Sequence, residues 1–231
     1  MAGAAGTGDG RRVIAIAEPT REELPAAARL LGTVLGFDPA DAVPAWLMLT
    51  ANGCGGLTLV ARHDEEVVGA SFAIAAVRDG EPCLFSCGLA VAPPLRRRGL
   101  ARALKLEQRR RALRRGIEVI RWTADPLNGP GLRLYLSVLG ARLTAYHAGL
   151  YEGLRAGDGV PPDDVEIEWR LAAGPVRPAA DGRVVALPVD GDRLGRRLRV
   201  RAAMTAALDA GQVGVAAETA VDGGFVVRFA R

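Results

Sequence analysis

Hydrophobic and polar positions along the chain fall into short strand-like runs separated by helical patterns. Arg12 to Ala17 (RVIAIA) predicts a first strand. Pro19-Thr20 then opens a helix, with Thr20 as N-cap and Glu23 three residues on in a capping-box arrangement. Leu24, Ala27, Ala28, Leu31 and Leu35 follow at helical spacing up to Gly36. A shorter helix is expected from about Ala40 to Leu49, with Trp46 and Leu47 as its bulky residues, before a loop at Asn52-Gly53 and Gly55-Gly56. Three strands come next: Leu57 to Arg62, Val67 to Arg78 and Pro82 to Val91. A polar turn at His63 to Glu66 joins the first two, and the Asp79-Gly80 hairpin signal joins the others.

After Val91 a Pro-Pro break and three arginines lead into a helix that runs to about Arg115, with Gly116 as its closing residue. Ile117 to Ala124 reads as a strand, and a helix is expected from Pro130 to Leu139, ended by Gly140. Arg142 to Tyr146 and Val165 to Leu171 form a strand pair joined by a long loop. Antiparallel hairpins before the basic loop and βα units after it imply an α/β fold with a mixed sheet and helices on both faces. A Gly/Pro-rich linker follows, then a strand from Val184 to Pro188, a helix of about Asp192 to Ala210 and two strands ending at Phe229. Leu194, Leu198, Thr205 and Leu208 mark the apolar face expected of that helix. One helix and three short strands are too little to fold alone, so this part is expected to dock on the main sheet or on a second subunit. The resulting division is a tail (1–11), a main domain (12–172), a linker (173–183) and a C-terminal extension (184–231).

Composition narrows the class. With 49% hydrophobic and 24% charged residues, the 231-residue chain can bury a proper core. Cys54, Cys83 and Cys87 are odd in number and form no C-x-x-C pair, so neither a disulfide framework nor a zinc site is indicated, and a cytoplasmic location is expected. The Gly-rich first ten residues lack the apolar segment of a signal peptide. Net charge is +4, but Arg96 to Arg115 holds nine arginines and Lys105 against Glu107 alone. Such a block suggests nucleic acid. It contains no aromatic residue on which bases would stack, and arginine outnumbers lysine 29 to 1 along the chain, so a specific nucleic-acid partner is not expected.

Leu89 to Ala101, LAVAPPLRRRGLA, holds the strongest local signal. A strand end, a Gly-containing turn and a helix start bring unpaired N–H groups to one point, and the helix dipole and the arginines add positive charge. A polyphosphate is the natural guest. R-x-x-G-x-A directly after a strand ending L-x-V resembles the pyrophosphate-binding signature of the GNAT superfamily of acyl-CoA N-acyltransferases, Q/R-x-x-G-x-G/A, with Arg96, Gly99 and Ala101 in its fixed positions. The element order is that of the GNAT topology as well. The segment from Leu84 to Asn128 is similar to a bacterial and archaeal group of GNAT acetyltransferases of unassigned substrate. That likeness rests on Ser86, Trp122 to Leu127, Leu139-Gly140-Ala141 and Glu168-Trp169, and covers roughly residues 13 to 172.

The resemblance implies a mostly antiparallel central sheet that splays beside its fourth strand, Pro82 to Val91, and acetyl-CoA as co-substrate, with no metal. Leu89 and Val91 would meet the pantetheine or thioester through main-chain groups, and the N–H groups of Arg97, Arg98, Gly99, Leu100 and Ala101 would hold the pyrophosphate. Arg98 and Arg102 are placed to reach phosphate oxygens. The implied activity is transfer of an acetyl or short acyl group to a primary amine of a small molecule, within a ternary complex, with no membrane partner and a homodimer left open. The alternative is a catalytically degenerate CoA-binding module that serves as a sensor or assembly partner.

Acid and base are less well supplied. Glu81 precedes Pro82, too early for the Glu that many GNAT enzymes place on this strand. Cys87 stands where the group often has His; Cys is a poorer base at neutral pH, and a small buried strand residue is the favoured reading. The Tyr that acts as general acid in many relatives lies four residues before the closing Gly; Leu136 holds that place here, and Tyr135 is one residue off, about 100° round an α-helix. Gly129-Pro130-Gly131 stands where the resemblance would place the Asn that usually opens this helix, with Asn128 three residues early. Tyr146, His147 and Tyr151 are expected on the acceptor side. The catalytic candidates are therefore Tyr135, Tyr151 and Cys87.

Overall fold

A computed structural model of the chain describes residues 14–154, 160, 162–174, 182–221 and 223–231. The expected tail, Arg12 and Val13 of the first strand, and most of the linker lie outside the described residues. The elements run β1 (Ala15–Ala17), α1 (Leu24–Leu35), α2 (Ala45–Gly53), β2 (Leu57–His63), β3 (Glu66–Arg78), β4 (Glu81–Val91), α3 (Leu100–Arg114) and β5 (Val119–Ala124). They continue with α4 (Gly129–Leu132), which passes into a π-helical stretch (Arg133–Val138), then β6 (Arg142–His147) and β7 (Asp164–Arg170). Last come β8 (Val184–Leu187), α5 (Arg193–Asp209), β9 (Val213–Thr219) and β10 (Phe225–Ala230). Among the described residues all ten strands join one sheet in the order β1-β2-β3-β4-β5-β7-β6-β9-β10-β8, with β4–β5 as its parallel pair.

Two apolar clusters sandwich this sheet. On one face Leu24, Ala27 and Leu31 of α1 and Met48 of α2 pack on Val60, Ala70, Phe72 and Ala90. On the other, Leu100, Leu104 and Ala112 of α3 meet Leu59, Leu84, Ile120 and Trp122, and the cluster runs on to Val200, Met204 and Ala207 of α5. Among the described residues no helix is long and apolar enough to cross a membrane.

Several elements depart from the sequence pattern. Helix α1 starts at Leu24 rather than at Thr20, and Glu23 sits at its N-cap without a side-chain cap bond. Half of the capping box still forms, since the Glu23 carboxylate accepts from the Thr20 N–H at 2.6 Å. The same carboxylate pairs with Arg62 on β2, which tethers the helix start to the sheet. Helix α2 begins five residues later than expected, after Pro44 in an extended conformation. It buries Met48 and leaves Trp46 and Leu47 outward, with Trp46 66% exposed. In α5 the expected apolar face is also displaced: Leu194 and Leu198 are exposed, while Arg197, Val200, Met204 and Ala207 are buried. Long-range contacts decide which stripe of a weakly amphipathic helix turns inward, and here Arg197 turns in to reach Asp125 at 2.8 Å and the Asp163 carbonyl at 3.1 Å.

The C-terminal strands extend the main sheet beyond β6, where Gly214 of β9 lies opposite Leu143. A β-carbon on Gly214 would stand 2.9 Å from that of Leu143, so the close approach requires glycine. Ser137 in the π-helical stretch acts as a substitute strand edge: its hydroxyl donates to the Ala217 carbonyl at 2.7 Å and accepts from the Ala217 N–H at 2.9 Å.

Candidate active site

Strands β4 and β5 pair only at Leu84–Ile120 and Phe85–Arg121, then part. Ser86 and Trp122, the next residues in register, stand at the apex of the resulting V-shaped slot. A β-bulge at Cys87 shifts the pairing with β3, from Ala73–Ser86 to Phe72–Gly88. Beyond it the Ala92 N–H bonds the Val68 carbonyl at 2.9 Å, which sets the antiparallel alternation. Leu89 and Val91 therefore turn their main-chain groups away from β3 and into the slot. The Val91 carbonyl accepts from Arg96 Nε at 3.1 Å, so Arg96 ties the strand end to the loop that follows.

That loop is a nest. Arg97 takes φ 62° and Gly99 φ 82°, both left-handed, immediately before α3 begins at Leu100. The N–H groups of Arg97, Arg98, Gly99, Leu100 and Ala101 have no protein acceptor among the described residues. A β-carbon on Gly99 would meet nothing within 4 Å, so open space lies above these donors. Donors, space and the helix dipole suit a diphosphate. The basic block divides accordingly. Arg110 and Arg111 pair with Glu107, Arg109 bonds the Leu171 carbonyl, and Arg115 bonds the Gly56 carbonyl. Arg97, Arg98 and Arg102 have no ion-pair partner among the described residues and stand exposed around the nest.

The π-helical stretch alters the place of Tyr135. Its i to i+5 bonding, such as Leu139 N–H to the Leu134 carbonyl at 3.0 Å, takes up one more residue than an α-turn. Leu136 is accordingly fully buried, while Tyr135 packs edge-on against Trp122 with ring centroids 5.1 Å apart. The extra residue offsets the one-position shift that the sequence shows, and Tyr135 comes to the apex. Burial pushes its hydroxyl up to about 12, so it stays protonated at neutral pH.

On the α1 side of the sheet, Cys87 sits at the bulge beneath α1. A β-carbon on the adjacent Gly88 would stand 2.8 Å from Leu31 Cδ2, which shows how closely the helix lies there. Burial raises the Cys87 thiol above its ordinary range. Tyr151 places its hydroxyl 3.2 Å from Thr123 Oγ1 on β5 and packs against Phe37. Glu166 on β7 is nearly buried and lies 3.3 Å from Arg121, from Arg78 and from His147 Nε2. Tyr146 departs from expectation: its hydroxyl donates to Asp163 at 2.6 Å on the α5 side, and Arg201 bonds that carboxylate too. The strand alternation that turns His147 toward Glu166 turns Tyr146 the other way. Glu81 stands at the far end of β4, where it pairs with Arg170 at 3.2 Å.

Sequence reasoning did not single out Lys105, which is 1% exposed at the apex. The one available signal was its rarity, a single lysine among 29 arginines. Glu166 was likewise missed, because a glutamate in an alternating strand reads as an outward residue. Among the described residues, no group of three or more His, Cys, Asp or Glu side chains is placed to hold a metal ion.

Comparison with known proteins agrees with this geometry. The sequence profile of the Acetyltransferase (GNAT) family matches residues 25–141. Among solved structures, the IAA acetyltransferase from Bacillus cereus ATCC 14579 superposes with a TM-score of 0.52 at 20% identity, over 68% of this chain and 99% of that one. The ribosomal-protein-S18-alanine N-acetyltransferase from Escherichia coli gives 0.53 at 20% identity, over 70% and 96%. A GNAT family acetyltransferase from Elizabethkingia anophelis with acetyl-CoA bound gives 0.52 at 18% identity, over 68% and 97%. No curated protein matches in sequence. The profile spans half of the chain and contains β4, the nest and α3, and with it the chain belongs to the GNAT acetyltransferase family.

Proposed function

We propose that this protein transfers an acetyl or short acyl group from acyl-CoA to a primary amine of a small molecule, by direct attack in a ternary complex. The observation that carries the reading is the continuity of slot and nest: the main-chain groups of Leu89 and the Val91 N–H face the slot and lead to five N–H groups at the start of α3 that have no protein acceptor among the described residues. Acyl-CoA supplies the activated thioester. Leu89 and Val91 hold its arm, Arg97 to Ala101 hold the diphosphate, and Arg98 and Arg102 neutralise phosphate charge. Tyr135 is the proton donor at the sulfur end, and Tyr151 helps shape the acceptor side. A bound acetyl-CoA in one of the similar structures supports the choice of donor.

The similar structures include a ribosomal-protein-S18-alanine N-acetyltransferase and an IAA acetyltransferase, so the acceptor class rests on this chain alone. The acceptor face offers Glu166, already engaged by Arg121 and Arg78, rather than an open carboxylate. That engagement also favours the second reading, a protein that binds CoA without turnover. Calorimetry with acetyl-CoA, followed by thiol release across a panel of small amines, separates the two. Binding with amine-dependent release supports transfer, binding without release supports the sensor or assembly module, and absence of binding overturns both.

A further inference from the structure

Lys105 is the one lysine of the chain and is fully buried, yet no carboxylate among the described residues faces it. Its Nζ donates to Gln108 Oε1 at 2.8 Å on its own helix and lies 3.4 Å from Ser86 Oγ on β4. It also stands 3.7 Å from the centroid of the Trp122 ring on β5. Every partner is neutral. Buried ammonium groups are ordinarily matched by an anion, since an unpaired charge in a low-dielectric interior is costly. Burial alone therefore brings this lysine down to about 7.

The position of Nζ gives the missing anion an identity. Ser86 and Trp122 are the first residues of β4 and β5 past their last pair, so Nζ bridges the two strands where the slot closes. A second donor waits there as well: the Trp122 indole N–H is buried with no hydrogen-bond partner among the described residues. Tyr135, which packs on the same indole, is the other titratable group at this point, and it is neutral. The ligand end that reaches a slot apex is the one furthest from the diphosphate, which for CoA is the sulfur.

We propose that Lys105 is the counter-ion of the CoA sulfur, its ammonium holding the sulfur as thiolate at the closed end of the slot. The inference rests on the reading of the slot as a CoA site. In transfer, the C–S bond of the thioester breaks as the C–N bond to the acceptor forms. The electron pair stays on sulfur opposite the Lys105 ammonium, the acceptor nitrogen gives up its proton toward solvent, and Tyr135 gives one to sulfur as CoA leaves and regains it from solvent. Tyr135 and Lys105 thus have separate tasks, a proton and a charge.

The test needs no acceptor. Affinities of CoA and of desulfo-CoA are measured by calorimetry at pH 8 for the native protein and for Lys105→Met, which keeps the side-chain length and removes the charge. The native protein is expected to prefer CoA by about tenfold or more, in line with a charge-assisted contact, and the variant by threefold or less. A native preference under threefold overturns the inference, whether or not the variant folds. A tenfold preference retained in Lys105→Met overturns it too. Native protein that binds neither nucleotide overturns the CoA reading itself, and the inference with it.

Discussion

A β-carbon on Gly129 would lie 2.2 Å from Cδ2 of Phe225, the first residue of β10. The C-terminal extension thus occupies the space that any larger residue at the start of α4 would need, which accounts for the glycine at this position. Asn128 keeps a different task, accepting from the Gly131 N–H at 3.0 Å as the cap of α4. Gly129→Ala is expected to destabilise the protein by roughly 1–3 kcal/mol through overpacking. Adding Phe225→Ala should relieve part of that cost, so the double variant is less unstable than the sum of the singles. Urea unfolding of the three variants checks this; strict additivity would mean that the two residues do not press on one another.

Gly99→Glu places an anionic side chain in the open space above the nest, at a position whose φ of 82° already disfavours any side chain. Acetyl-CoA affinity should fall by tenfold or more, about 1.4 kcal/mol. Calorimetry on protein with an unchanged circular dichroism spectrum decides the matter. Unaltered affinity would remove the diphosphate from this loop.

Tyr135→Phe is expected to leave acetyl-CoA affinity within about twofold while lowering turnover by about 10²-fold or more, the usual contribution of a positioned proton donor. Steady-state kinetics with whichever amine the panel identifies reports both. A variant with native turnover would return Tyr135 to a packing role against Trp122.

Cys87→Ser should retain most activity. Burial raises the thiol, and its sulfur contacts the Phe85 carbonyl at 3.5 Å rather than a base, so little thiolate is present to attack. Intact-mass measurement after acetyl-CoA alone should show no acetyl adduct on this residue. An adduct discharged by an amine would establish a ping-pong route instead.

Lys105 gives the ligand-free protein a pH signature. The native side chain loses its proton at about 7, whereas an unfolded lysine holds it up to about 10.4. Between those values the unfolded chain binds more protons, so stability rises with pH, by up to roughly 1.4 kcal/mol per unit. Urea midpoints of the native protein between pH 7 and 9.5, less those of Lys105→Met, isolate this contribution from the cysteines. The difference should favour the variant most at the low end and shrink as pH rises. A constant difference would mean that Lys105 does not titrate there.

Much of the fold was legible in the chain itself. Strand alternation from Leu57 to Val91, the Asp79-Gly80 turn and the arginine–glycine loop before α3 depend on neighbours a few residues apart, and local chemistry specifies them. The Gly99 turn and the free N–H groups beside it are of this kind: a glycine in left-handed backbone followed by a helix start carries its donors wherever the helix is placed. Tertiary structure alone decided the rest. Weakly amphipathic helices present more than one stripe, so packing chose Met48 over Trp46 in α2 and Arg197 over Leu198 in α5. Tyr135 reaches the slot only because a π-turn adds a residue, an event of i to i+5 bonding that hydrophobic spacing does not encode. Lys105 looked like one more cation in a basic helix. Its character comes from Ser86 and Trp122, brought to it from two other strands, which close off water and supply no negative charge.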